Sequence, residues 1–252
     1  MPRRERLEDR IKALSQHWDV MRPEGPGPHP LVIQLPGCGG KKPFQQTWAQ
    51  VAKTNGAAAL IIDSHKHRGI TQMGAYAGVC TGLRLRGAER AGDLIAALEW
   101  AKRQDWVNPS RIYAAGWSHG GWTILDALCI GDKIERYTGL RDAAANVMDG
   151  LAAAFILYPY AGIGSLTHVR PAACKPAISA IVCGDDKIVG SRSPLRVFER
   201  LRTQGLNVSV AFFENGTHAF DEMDARDIRV RPDKALVARA HALYAAFLSA
   251  RL

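Results

Sequence analysis

From residue 30 onward, short apolar runs alternate with stretches of helical periodicity. Residues 31–35, 57–62, 111–115, 152–158, 177–183 and 208–213 are predominantly apolar segments of strand length, several rich in β-branched residues. Between and after them, residues 44–55, 88–103, 120–130, 195–204 and 234–248 carry apolar positions three and four apart, which predicts helices. Strand and helix in regular alternation predict a parallel sheet of about six strands, covered by helices on both faces and joined by right-handed crossovers.

Ahead of this lies a different pattern. Leu7, Ile11, Leu14 and Trp18 share one helical face, so residues 1–21 read as an amphipathic helix that docks on the rest of the chain. PEGPGPHP follows, with four prolines in eight residues, and can only be an extended connector. The division is therefore 1–29, helix and connector, and 30–252, the α/β domain. Two intervals exceed an ordinary connection: the glycine-rich 63–87, and 131–150, which reads as a small lid insertion. Long segments of this kind serve binding more often than linkage.

Composition narrows the picture without changing it. Hydrophobic residues form 47% of the 252 and charged residues 23%, as in an ordinary globular core. No run reaches a membrane span, and the N-terminus lacks a signal peptide's apolar stretch, so a cytosolic protein without a membrane partner is expected. The net charge of +9 raises the question of nucleic acid, but outside MPRRER the basic residues are scattered, which predicts solvated faces and no nucleic-acid partner. Five cysteines without metal-ligand spacing fit scattered thiols, with a Cys38–Cys80 pair as the alternative. No metal site is expected.

The sharpest chemical signal is RIYAAGWSHGGW, in which a strand runs through Gly116, Trp117, Ser118, His119 and Gly120 straight into a helix. Such a strained turn exposes the serine hydroxyl, and the helix N-terminus behind it supplies the His119 backbone N–H to a developing oxyanion. A serine hydroxyl needs a base to take its proton, and the base in turn an acid to orient it. His218, in FFENGTHAF after the last strand, is placed to be the base. Asp185 and Asp186 follow the strand before it; Asp186 is favoured because it precedes the short apolar turn of Ile188 and Val189, and Asp185 stands as the alternative. A second oxyanion donor is expected from the loop QLPGCGGKK, with the Cys38 N–H as the candidate; a reactive Cys38 thiol is the competing reading.

These residues resemble the dienelactone hydrolase family of the α/β-hydrolase superfamily. LPGCGG, IIDSHKHRG, GDLIAALEWAKRQDWVNPSRIYAAGWSHGG, CGDDKIVG and NGTHAF carry the resemblance, which extends over residues 30–248. It implies an α/β-hydrolase fold and a triad of Ser118, Asp186 and His218 working without metal or organic cofactor. It implies a carboxylic ester hydrolase acting on small esters or lactones. Three departures stand out: a serine where the founding members carry a cysteine nucleophile, Pro36 where relatives often have histidine, and an N-terminal helix in place of antiparallel edge strands.

Loops leaving the carboxyl ends of parallel strands line the mouth of a site in such a sheet. Here they carry Lys41, Lys42, His65, Lys66, His67 and Arg68, a basic rim that predicts substrates bearing a carboxylate. Arg68 is the expected direct contact because its fork suits bidentate binding, and Trp117 is the second substrate contact. Two other readings stay open: a serine peptidase of oligopeptidase type, and a non-catalytic binding protein on the same fold.

Overall fold

The computed structural model describes residues 2–251. Seven strands form one sheet in the order β1-β3-β2-β4-β5-β6-β7. In chain order they are β1 (Asp19–Met21), β2 (His29–Leu35), β3 (Ala58–Ile61), β4 (Val107–Trp117), β5 (Ala153–Leu157), β6 (Ala177–Cys183) and β7 (Val208–Phe213). The six strands expected from the sequence are all present and parallel; β1 is additional and pairs antiparallel with β3, Val20 opposite Leu60.

The helices are α1 (Leu7–Ser15), α2 (Phe44–Thr54), a single turn α3 (Gln72–Gly74), α4 (Gly87–Lys102), α5 (His119–Leu128), α6 (Ile134–Thr138), α7 (Arg192–Thr203) and α8 (Lys234–Ser249). Alternation along the strands builds two cores, one on each face of the sheet. Leu31, Ile33 and Leu35 of β2, Ile112 and Ala114 of β4 and Ile156 of β5 face a core shared with α1, α4, α5 and α7. Val32, Tyr113, Trp117 and Phe155 face the other, filled by Trp48 of α2 and by Tyr244 and Phe247 of α8. No helix among the described residues is long and apolar enough to cross a membrane.

The N-terminal segment departs from the single helix 1–21. Helix α1 ends at Ser15, and the chain then extends to add β1 beside β3, so one antiparallel edge strand accompanies the helix instead of being replaced by it. Trp18 still reaches the same side of the molecule, packing edge-on against Trp100 with ring centres 5.1 Å apart.

Helix α1 is fastened by charge as well as by Leu7, Ile11 and Leu14. The buried Arg10 guanidinium donates to Asp93 Oδ1 of α4 at 2.7 Å and to Glu5. The scattered-thiol reading holds for Cys129, Cys174 and Cys183, but Cys38 and Cys80 form a disulfide. That bond excludes a reactive Cys38 thiol.

Candidate active site

Ser118 stands between β4 and α5 at φ 52° and ψ −110°, in a region that non-glycine residues rarely occupy. The turn is possible because the residues two positions to either side, Gly116 and Gly120, have no side chain: a Cβ on Gly120 would lie 1.8 Å from the Leu35 carbonyl oxygen. Helix α5 therefore packs its first turn directly on the end of β2. Ser118 holds the N-cap position of α5, yet its hydroxyl caps nothing. It lies 2.8 Å from His218 Nε2 instead.

The imidazole is held from its other side by Asp186, with His218 Nδ1 and Asp186 Oδ2 2.7 Å apart. A carboxylate can only accept here, which puts the imidazole proton on Nδ1 and leaves Nε2 free to accept from Ser118. The remaining Asp186 oxygen accepts the N–H groups of Ile188 and Val189, each at 2.9 Å. Burial pushes the Asp186 carboxyl up, but its bond to His218, that residue's charge and the two N–H donors outweigh burial and hold it below its ordinary value. Asp185 turns the other way, to Lys187 at 2.8 Å and to Arg231.

A cavity of about 1100 Å³ opens over Ser118. Cys38 and His119 both border it, and among the described residues neither N–H donates to a backbone carbonyl. The loop carrying Cys38 is braced from several directions. The disulfide ties it to Cys80, in the segment 75–83 that walls the cavity. Gly40, at φ +83°, sits so close over His65 that a Cβ there would come within 2.8 Å of the ring. None of residues 131–150 lines the cavity. The glycine-rich interval does, through Tyr76, Leu83 and Arg86 among others.

Of the two expected substrate contacts, the structure places Trp117 at the cavity and Arg68 away from it. Arg68 is not in the cavity: its guanidinium grips Asp93 in a two-pronged ion pair, at 2.9 and 2.8 Å. Burial drives the Asp93 carboxyl up, but Arg68 and Arg10 more than reverse this and hold it far below its ordinary range. Trp117 borders the cavity, but its buried indole N–H is committed to Asp221 at 3.1 Å. The basic rim is largely neutralised too. Lys41 pairs with Asp19 and Lys42 with Glu222. Burial, assisted by Arg90 for His65 and by Arg68 for His67, lowers both histidines to about 4, so they are uncharged at neutral pH.

Asp221 was not singled out in the sequence. It is buried beneath the triad, where it accepts from Trp48 Nε1 at 2.9 Å, Trp117 Nε1 and the Tyr158 hydroxyl at 2.5 Å. Burial raises it to about 6 against those three donors. Tyr158 in turn lies against the His218 ring, centres 4.9 Å apart, so Asp221 supports the imidazole at one remove.

The open, mostly parallel sheet, the sharp strand-to-helix turn after its central strand and the cavity at its carboxyl edge define the α/β-hydrolase fold. Residues 49–152 match the model of the prolyl oligopeptidase family. Solved structures similar over most of the chain include Thermogutta terrifontis esterase 2 phosphonylated by cyclosarin, 16% identical over 92% of this chain and 88% of that one, TM-score 0.69. A putative dienelactone hydrolase from Klebsiella pneumoniae is 14% identical over 92% of each chain, TM-score 0.66. A sugar hydrolase from Lactococcus lactis is 14% identical, again over 92% of each, TM-score 0.64. At these identities the likeness is one of fold.

Proposed function

We propose that the protein is a serine hydrolase that cleaves carboxylic esters or lactones through an acyl-enzyme. The observation that carries this reading is the unbroken hydrogen-bonded chain Ser118–His218–Asp186 at the floor of an open cavity. Ser118 Oγ bonds to the substrate carbonyl carbon while His218 Nε2 takes its proton, and Asp186 stabilises the resulting imidazolium. The carbonyl oxygen becomes an oxyanion held by the N–H groups of Cys38 and His119. As the tetrahedral species collapses, the bond to the alcohol oxygen breaks and Nε2–H protonates that oxygen. Water, deprotonated by the same histidine, then releases the acid and restores Ser118.

The fold's solved relatives include an esterase phosphonylated by an organophosphonate, which motivates the first test. A fluorophosphonate probe is expected to label the wild-type chain but not Ser118→Ala, which should also lose turnover of p-nitrophenyl butyrate. Absence of labelling in the wild type would favour a non-catalytic binding role. The prolyl oligopeptidase match favours a second reading, amide cleavage; turnover of a peptide p-nitroanilide in preference to the ester would establish it.

Preference for carboxylate-bearing substrates rests in this proposal on Arg86 and Arg226. Both line the cavity, and neither has a carboxylate partner among the described residues, whereas Lys42 and Arg229 are paired with Glu222 and Asp227. Arg86→Ala with Arg226→Ala should lower kcat/KM for p-nitrophenyl hemisuccinate while sparing the butyrate. Equal losses on both esters would remove the idea.

A further inference from the structure

Arg90, on α4, is 1% exposed and forms no ion pair with a carboxylate among the described residues. Asp93, one turn along the same helix, is already committed to Arg10 and Arg68. Every hydrogen-bond partner of the Arg90 guanidinium is neutral: Ser64 Oγ at 2.9 Å from Nε, and the Pro36 carbonyl at 2.7 Å and His119 Nδ1 at 3.2 Å, both from Nη1. A buried guanidinium with only neutral partners is an expensive way to fill space. Burial pulls it down to about 10, so it keeps its proton at neutral pH. The acceptor it needs in His119 is secured, because burial and then the Arg90 charge itself hold that imidazole neutral.

The partners are informative. Pro36 directly follows β2, two residues before Cys38, and His119 is the first residue of α5. These two chain segments carry the backbone N–H groups assigned above to the oxyanion, and they meet where Gly120 packs on Leu35. We propose that Arg90 is the positioning residue of the oxyanion site: one guanidinium nitrogen clamps the Pro36 carbonyl and the His119 imidazole, setting the spacing of the Cys38 and His119 N–H donors. Its charge, without a direct counter-ion, also favours the negative charge that develops on the substrate oxygen in front of that clamp. The inference rests on the hydrolase reading, and it assigns Arg90 no contact with substrate.

The test compares Arg90→Lys, which keeps the charge but loses the fork, with Arg90→Met, which loses both. Fluorophosphonate titration counts the competent Ser118 sites in each preparation, so kcat is expressed per titrated site. The expected result is a loss in kcat of on the order of 100-fold for Arg90→Met, the scale of an ångström-sized misplacement of reacting groups, with KM nearly unchanged. Arg90→Lys should fall between that variant and the wild type. Affinity for an alkyl boronic acid, whose serine adduct mimics the tetrahedral species, should fall in parallel with kcat/KM. Ser64→Ala, which frees only Nε, provides a milder variant should Arg90→Met fail to fold, and it should show a smaller loss of the same kind. Unchanged per-site kcat and boronate affinity in Arg90→Lys and Ser64→Ala, with only a lower melting temperature, would reduce Arg90 to a structural role and overturn the inference. An untitrated wild type would overturn the hydrolase reading and the inference with it.

Discussion

Asp185 and Asp186 are adjacent in the chain and opposite in environment. Asp186 has its two oxygens filled by His218 and by the N–H groups of Ile188 and Val189, whereas Asp185 faces solvent beside Lys187 and Arg231. Asp186→Asn should lower kcat on the order of 10⁴-fold, because the amide favours the wrong imidazole tautomer. Asp185→Asn should leave kcat at the wild-type level; a comparable loss in both would contradict the arrangement. Which of the two carboxylates faces His218 was legible because the apolar turn after the acid is itself a sequence feature, and the approach of His218 to Ser118 was legible from chain order. Arg68 was misread for a physical reason: its partner Asp93 lies 25 residues away inside GDLIAAL, and no local pattern connects a loop arginine to a buried helix carboxylate. Asp221 and Arg90 left only faint signals. The indoles of Trp48 and Trp117 and the Tyr158 hydroxyl each demand a partner once buried, and a charged pair spaced i, i+3, Arg90 and Asp93, interrupts the buried positions of α4.

Among the elements, those with long periodic signals were the most legible. Strands β6 and β7 begin and end where the apolar runs do, but β1 has three residues, too few for alternation to register. Helix α5 is buried on all sides and carries an acid that periodicity treats as an anomaly. Asp126 accepts the Leu166 N–H at 2.7 Å through one oxygen, and its other oxygen is buried without a partner among the described residues. Burial raises this carboxyl to about 8. The folded chain thus holds a proton that the unfolded chain, near 3.8, has lost. Asp126 contributes most to stability below about pH 4, and that contribution falls as pH rises through 8. Asp126→Asn keeps the acceptor for Leu166 and removes the titration. Urea midpoints between pH 5 and pH 8 should therefore be flatter in the variant, and a variant as steeply pH-dependent as the wild type would assign the carboxyl a different state.

At the scale of the whole molecule, three distant parts of the chain converge behind the site. Helix α1 reaches α4 through Arg10 and Asp93, the 63–70 loop joins through Arg68 and Ser64, and the Cys38 loop is tied to residue 80. The disulfide closes a loop of 42 residues, and losing such a bond typically costs about 2–4 kcal/mol. Cys80→Ser should melt earlier by a corresponding amount. Because Cys80 belongs to the cavity wall and Cys38 to the proposed oxyanion loop, the variant should also show a lower kcat at temperatures where it remains folded. A thermal melt and a rate measured on the same sample separate the two effects.

The disulfide also makes sample history a variable. With five cysteines in the chain and three of them free in the folded structure, an oxidised preparation should yield three titratable thiols after denaturation and a reduced one five. The two species differ in mass by only two hydrogens, and they would co-purify by size and nearly by charge. A batch handled with reductant for part of its preparation would then contain both, and its progress curves would be the sum of two populations. Thiol counting alongside every rate measurement would keep such a mixture from being mistaken for cooperativity or slow activation.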